Sequence, residues 1–250
     1  MHPLLLEAVT LSLDLHPDRK DEGVLCSVTG LIAPIQQEVL KIRYSPKPDP
    51  TKMLRPFMGT AIHALVEKLL KKSDLAGRES LLLENRFVGT FAGQKISGSL
   101  DALYLEDGKW VVADFKTTSA VTIIYDSRAK EWEEQVNIYA ELAHLNGYEV
   151  SRVEIVPILY DHSDAACKKD KSGKYPKEPS LTRVMPLWTQ DQRQAFIEDR
   201  VTRLVEALKL PDKDLPECKE TWGGRRCASY CDCSPFCHQC KKTKASLEDF

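Results

Sequence analysis

Residues 97–116 read SGSLDALYLEDGKWVVADFK and decide the fold, because two alternating apolar runs flank a two-residue turn. The dipeptide between the runs, Asp107-Gly108, is among the strongest short-range signals for a tight hairpin loop. The sequence therefore predicts two antiparallel strands joined by this loop. With both residues in the loop, cross-strand pairing would place Asp101 directly opposite Asp114.

Two facing carboxylates on this hairpin require an explanation. Their Cβ atoms would lie about 5 Å apart, where like charges destabilise a sheet unless a cation offsets them. Lys116 follows Asp114 by two residues, hence on the same face, and supplies one positive charge. Mg²⁺ or Mn²⁺ would supply more, since both ions favour oxygen ligands. Apolar residues cover both faces of the hairpin, so buried, partnered charges are expected rather than a surface hairpin with solvated charges.

Length and charge narrow the class of protein. The chain has 250 residues, is 42% hydrophobic and carries a formal net charge of −2. Such a chain can form one large domain, and any phosphate contacts must come from local basic patches. No stretch approaches the roughly 20 apolar residues of a transmembrane helix, and the N-terminus lacks the basic start of a signal peptide. We therefore expect a cytoplasmic protein without membrane contacts.

Hydrophobic periodicity outlines the remaining elements. The sequence predicts a helix over 58–72 capped by Thr60, strands around Gly93, a helix over 129–147, a strand over 153–161, a polar loop over 161–180 and a helix over 189–210. This order indicates an α/β fold with a mixed sheet flanked by helices. Residues 1–210 would form this core, and residues 211–250 a cysteine-rich module.

Six of the eight cysteines fall in the segment 218–240: Cys218, Cys227, Cys231, Cys233, Cys237 and Cys240. In a reducing compartment such density indicates metal ligands rather than disulfides. Soft thiolates select zinc or an iron–sulfur cluster, and four are enough for either. We expect the metal centre to be structural and to pin the tail to the core.

Four short motifs occur in a defined order and together resemble a known family. GSLD followed by DFK resembles the core motif of the PD-(D/E)XK nuclease superfamily. GTAIHALVE resembles the helix that carries the motif histidine in the RecB-type branch, and QVNIY its Gln-x-x-x-Tyr motif. With the cysteine-rich C-terminus, the set is similar to iron–sulfur nucleases of CRISPR adaptation and of the AddB type, and to related phage exonucleases. The resemblance implies a restriction-endonuclease-like fold.

The resemblance also implies a catalytic metal site. Its ligands to Mg²⁺ or Mn²⁺ would be His63, Asp101, Asp114 and the carbonyl of Phe115. Lys116 would orient or activate the attacking water. The ion would neutralise charge that develops at the scissile phosphate and lower the pKa of bound water.

Three further residues acquire roles from the same resemblance. Gln135 and Tyr139 would contact DNA or support Lys116, with helix packing as their alternative role. Glu84 stands where many relatives carry an acidic residue before the motif aspartate.

The cluster ligands follow the iron–sulfur relatives, in which three C-terminal cysteines join one N-terminal cysteine. The favoured set here is Cys218, Cys227, Cys231 and Cys237. Cys26 is the alternative fourth ligand, and Cys233 and Cys240 are replacements within the tail. Gln36 and Gln37 stand near the position that relatives give to the N-terminal cysteine. A [4Fe-4S] cluster is the expected cofactor and Zn²⁺ the alternative.

Together these features predict a Mg²⁺- or Mn²⁺-dependent deoxyribonuclease, an exonuclease that processes single- or double-stranded DNA ends in recombination, repair or phage DNA metabolism. The alternatives are a CRISPR-adaptation-type nuclease that acts with partner proteins and a catalytically silent DNA-end-binding subunit. The chain contains no GxxxxGK[ST] motif, so a helicase would be a separate partner, as would a recombination or integration protein.

Overall fold

A six-stranded mixed sheet forms the centre of the computed structural model, which describes residues 1–14, 23–73, 80–219 and 223–248. The strands are β1 (Val24–Ser27), β2 (Leu81–Phe91), β3 (Gln94–Glu106), β4 (Lys109–Thr118), β5 (Val150–Leu159) and β6 (Arg183–Met185). Their order is β1-β3-β4-β5-β6, with β2 paired to β3. β1 is parallel to β3 and β4 to β5, whereas the other pairs are antiparallel. The predicted mixed sheet flanked by helices is confirmed.

Helices connect and cover the strands. They are α1 (Pro3–Asp14), α2 (Val28–Ile32), α3 (Ile35–Tyr44), α4 (Leu54–Leu70), α5 (Ala120–Ile124), α6 (Ala129–Leu145), α7 (Asp164–Lys169), α8 (Gln190–Ala207) and α9 (His238–Glu248). α6 is the crossover between β4 and β5, and its apolar face, which includes Trp132 and Leu142, is buried in the core. None of the helices in the described ranges is long and apolar enough to cross a membrane.

The hairpin of β3 and β4 has the predicted turn and register. Its 107–108 turn has φ values of 50° and 75°, the positive values of a type I′ loop. The ladder, however, ends at the pair Ala102–Ala113, so the predicted direct pairing of Asp101 with Asp114 is wrong. One edge of β3 pairs with two different strands. β1 pairs with residues 95–97 of this edge, and β4 pairs with it only from Ala102 onward.

Two boundaries differ from the sequence prediction. α4 begins at Leu54 directly after a 3₁₀ turn at Pro50–Lys52, so Thr60 lies inside the helix and does not cap it. The segment 161–180 contains α7, whose first turn is capped by the Ser163 hydroxyl, where a loop alone was expected. By contrast, Thr189 begins α8 as predicted, with a complete capping box.

The segment that follows α8 packs on the end of α3. The Arg43 guanidinium donates to the carbonyl of Leu210 at 2.6 Å and pairs with Asp212. Tyr44 donates to the same carboxylate at 2.5 Å and stacks on Phe236, with ring centroids 4.4 Å apart. α3 therefore anchors the cysteine-rich segment to the rest of the chain.

Candidate functional site

Three of the predicted residues meet where α4 passes over the sheet. The ligand atoms of His63, Glu84 and Asp101 all lie within 4.8 Å of one another, and His63 Nδ1 is 3.5 Å from Asp101 Oδ2. All three side chains are half-buried. One imidazole and two carboxylates can coordinate a divalent cation, and carboxylate oxygens are the ligands that Mg²⁺ and Mn²⁺ favour.

The two carboxylates come from facing positions on β2 and β3. Regular ladder pairs flank Glu84 and Asp101 on both sides, but these two residues do not pair themselves. Glu84 has a φ of 51°, a left-handed conformation inside a strand. Such a conformation costs roughly 1–3 kcal/mol and is common at functional sites. Alternation along the strand could not predict this feature.

Helix α4 brings His63 to the carboxylates. A Cβ built at Gly59 would lie 3.9 Å from Thr117 Cβ, so the helix passes close to β4. One turn further on, the His63 ring lies edge-on to Phe115, with centroids 6.4 Å apart. Asp101 accepts the backbone N–H of Phe115 at 2.7 Å. The hydrogen bond from His63 to Asp101 is the main reason that the pKa of His63 is raised.

Asp114 and Lys116 form a second group beside the first. Lys116 Nζ lies 2.5 Å from Asp114 Oδ2, so the structure joins Asp114 to Lys116 rather than to the group of three. Burial raises the pKa of Asp114 to about 6, and the charge of Lys116 partly opposes that shift. A nearby divalent cation would favour the ionised carboxylate further. Phe115, between them in sequence, lines the pocket in front of His63 and Asp101.

Gln135 and Tyr139 lie behind the carboxylates, in the core. Gln135 Nε2 donates to Tyr139 Oη at 3.0 Å, and both side chains are buried. Burial raises the pKa of Tyr139, and the next cause is the charge of Asp114. A Cβ built at Gly98 would meet Tyr139 Cε1 at 2.8 Å, so the ring packs directly on the β3 backbone. The structure shows this pair packed in the core, and the roles that the resemblance implies, DNA contact or support of Lys116, stay predictions.

The cysteines of the tail surround one cavity. Its lining includes all six: Cys218, Cys227, Cys231, Cys233, Cys237 and Cys240. Cys233 and Cys240 are buried, whereas two of the favoured ligands, Cys218 and Cys231, are only half-buried, and the spacing of the cysteines did not indicate this. The hydrogen bond with Cys233 is the main cause that lowers the pKa of Cys231 to about 6, so a thiolate forms readily there.

Cys26, the alternative ligand, does not line this cavity. It is buried in the core, and burial followed by the charge of Glu38 raises its pKa to about 12. A thiol in such surroundings stays protonated and behaves as a small apolar side chain.

The cysteine thiols are not arranged like the ligands of a single zinc ion. A tetrahedral zinc with Zn–S bonds of about 2.3 Å places its thiolates about 3.8 Å apart. Across the described parts of the chain, no three cysteine Sγ atoms all lie within 4.8 Å of one another. The thiols as they stand therefore do not form a preorganised tetrahedral zinc site.

The fold is a mixed α/β sheet in which neighbouring strands carry carboxylates and a lysine. A helix that lies over the sheet adds a histidine, and this combination is typical of metal-dependent nucleases. Residues 76–238 match the family model of the PD-(D/E)XK nuclease superfamily, more than half of the chain. The chain belongs to this superfamily, whose members use divalent metal ions. A search of curated proteins found no match.

This chain is similar to several solved structures, and the first of them shows the same fold. The structure of SSO0001 is 19% identical with a TM-score of 0.56, and the alignment covers 94% of this chain and 95% of that one. An alkaline exonuclease (LHK-Exo) from Laribacter hongkongensis is 13% identical with a TM-score of 0.43, covering 73% and 87%. A phage-related exonuclease from Haemophilus somnus 129PT is 11% identical with a TM-score of 0.41, covering 74% and 96%.

Proposed function

We propose that the protein is a divalent-metal-dependent DNA nuclease that degrades DNA from its ends. The observation that carries this proposal is the group His63, Glu84 and Asp101, with Asp114 and Lys116 beside it. A superfamily member that had lost activity would be expected to lack part of this set. The complete set therefore favours an active enzyme over a silent DNA-end-binding subunit.

Each residue of the site has a chemical role in this proposal. His63, Glu84 and Asp101 would hold Mg²⁺ or Mn²⁺, with Asp114 and the Phe115 carbonyl completing the set. When bound, the ion supplies charge neutralisation at the scissile phosphate and a lower pKa for coordinated water. Lys116, held by Asp114 at 2.5 Å, keeps its ammonium group where it orients the attacking water.

We also propose that the six-cysteine cavity holds a [4Fe-4S] cluster rather than zinc. Among the described residues, the thiols do not form a preorganised zinc site, and six of them line one cavity, which is more than the four thiolates that a cluster of four irons and four sulfides needs. Four thiolates complete its ligation, and the set we favour is Cys218, Cys227, Cys231 and Cys237. In this proposal, residues 211–250 form a cluster module docked on a nuclease core of residues 1–210.

End-labelled linear DNA, with a covalently closed circle beside it, tests the nuclease proposal. We expect anaerobically purified protein to release nucleotides from the linear DNA with Mg²⁺ or Mn²⁺ but not with EDTA, and to leave the circle intact. Lys116→Ala should reduce the rate about 100-fold or more, a typical loss for a group that positions or activates the nucleophile. Lys130→Ala, which removes the same charge from an exposed position on α6, should not.

Other outcomes separate the alternatives. Cutting of the circle would contradict an end-dependent enzyme and indicate an endonuclease. Absence of any cutting by protein with its cysteine centre filled would contradict an enzyme that acts alone. In that case, binding to DNA ends would indicate a catalytically silent subunit. Activity that appears when integration proteins are added would indicate a CRISPR-adaptation nuclease.

A further inference from the structure

A buried glutamine shares the cavity with the six cysteines. Gln36 belongs to α3, is only 1% exposed and lines the cavity. Its Oε1 accepts hydrogen bonds from the thiols of Cys218 at 3.5 Å and Cys237 at 3.4 Å. Gln36 is thus the contact between the N-terminal half of the chain and two of the favoured ligands.

The amide nitrogen of the same side chain has no partner. Among the described residues, nothing accepts a hydrogen bond from Gln36 Nε2, although the atom is buried. A buried donor without a partner costs about 1–3 kcal/mol. The loss is avoided if an acceptor occupies the cavity, and the groups that would occupy it are thiolates and the sulfides they hold.

Two other glutamines line the cavity but are already engaged. The Gln239 amide accepts from the backbone N–H of Cys218 at 2.9 Å and donates to the carbonyl of that residue at 3.0 Å. Gln37 Oε1 accepts from the Arg226 guanidinium at 2.5 Å. Gln239 therefore fixes the backbone of a ligand, whereas Gln36 offers a donor to the cavity itself.

Ligand binding would reverse the direction of the bonds at Gln36. Cysteines that bind a metal are thiolates, which accept hydrogen bonds and cannot donate them. A half-turn of the Gln36 amide would place N–H instead of Oε1 against the sulfurs of Cys218 and Cys237. In either orientation, the loaded site receives an N–H···S hydrogen bond from Gln36.

We infer that Gln36 is the hydrogen-bond donor that tunes the thiolate-held cluster. The inference rests on the proposed cluster. Hydrogen bonds to the sulfurs stabilise the additional negative charge of the reduced cluster and so raise its reduction potential. Gln36 is a positioning and tuning residue, and the cluster ligands come from the C-terminal module alone.

The test uses the anaerobically purified full chain and two variants of Gln36. Gln36→Met keeps the length of the side chain without a donor, and Gln36→Glu keeps its shape but replaces the donor with a carboxylate. We expect both variants to contain iron and sulfide at the wild-type level. A redox titration followed by electron paramagnetic resonance should give a more negative reduction potential for both.

Gln239→Met is the matched control. It removes an amide from the same cavity wall, but that amide holds Cys218, so we expect less iron per chain rather than a shifted potential. Cys26→Ser should change neither quantity. An unchanged potential in both Gln36 variants would overturn the inference, and so would loss of iron from both, which indicates a ligand or a purely structural role.

Metal content and DNA cleavage report separately on the cysteine cavity and on the nuclease site. Stoichiometric zinc without iron in the wild-type protein would overturn the tuning role while leaving the divalent-metal nuclease intact. A shifted potential in both variants would support the tuning role even if the wild-type protein did not cut DNA.

Discussion

The backbone conformation of Glu84 marks the candidate metal site. Its φ of 51° interrupts an otherwise regular strand, and its carboxylate lies within 4.8 Å of ligand atoms of His63 and Asp101. Two carboxylates at this separation repel each other when no cation is bound. Strain and repulsion at one position are expected where stability is exchanged for metal binding.

Glu84→Asn separates these two effects. Asparagine tolerates positive φ better than glutamate, and the substitution removes one of the repelling charges, so the free energy of unfolding in EDTA should rise by about 1 kcal/mol. The increase in melting temperature on adding Mn²⁺ should shrink, because a ligand is lost. Thermal unfolding with and without Mn²⁺ measures both. Glu149→Asn, at a highly exposed carboxylate, should alter neither. A full Mn²⁺ shift in Glu84→Asn would show that Glu84 is not a ligand.

The packing of the Tyr139 ring requires a glycine at position 98. A Cβ there would lie 2.8 Å from Tyr139 Cε1 and 2.7 Å from Val28 Cγ2. Gly98→Ala should therefore lower the free energy of unfolding by about 1–3 kcal/mol and reduce nuclease activity by displacing the ring behind Asp114. Urea unfolding measures the first effect. Gly59→Ala is the control, since a Cβ at that helical position meets only ordinary contacts and should stabilise the chain. Equal stability of the two variants would contradict this packing.

At the scale of elements, local signals predicted the structure best. The turn at 107–108 follows from a dipeptide that favours positive φ, so the register of its hairpin could be predicted, and Gly93 likewise marks the turn between β2 and β3. The end of its ladder could not, because it depends on β1, which pairs with β3 from far away in sequence. The same limit applies to the left-handed conformation of Glu84, because Asp101, which its carboxylate approaches, lies on another strand.

Helix α4 is the element most weakly tied to the sheet. None of its residues is buried, whereas α6 is buried along most of its length. Elements with few buried contacts open at low free energy, so the amides of Leu54–Leu70 should exchange with deuterium faster than those of α6. Mn²⁺ should slow exchange in α4 selectively, because His63 would join it to Asp101 through the ion. Mass-spectrometric exchange with Mn²⁺ or EDTA measures this, and His63→Ala should abolish the difference. Equal protection of α6 would point to a global effect instead.

At the scale of the whole molecule, the chain carries two metal-type sites of different chemistry. Oxygen and nitrogen ligands gather where α4 crosses the sheet, whereas thiols gather around the end of α3. Cysteine density alone predicted a thiolate centre in residues 211–250. Cysteine density could not show which of the six cysteines are ligands, because the folded chain brings all six to one cavity. Cys26, by contrast, is buried in the core.

The thiolate centre should control how firmly the C-terminal segment is held. Besides the cavity, α3 holds this segment through Arg43 and Tyr44 with Asp212 and through the stacked ring of Phe236. Without a bound cluster, the buried Nε2 of Gln36 also has no hydrogen-bond acceptor among the described residues. Binding to the folded state stabilises it, so removing the cluster should loosen this segment before the sheet.

Limited proteolysis of the full chain tests this order of events. After oxidative removal of the cluster, we expect early cleavage beyond residue 210, while circular dichroism of the remaining fragment keeps the signal of the mixed sheet. Cys237→Ser should reproduce the cleavage, because it removes a favoured ligand. Cys167→Ser, in α7, should not, since that residue does not line the cavity. Simultaneous loss of the sheet signal would mean that the cluster stabilises the nuclease core itself. The module would then be an integral part of the fold rather than a segment docked on it.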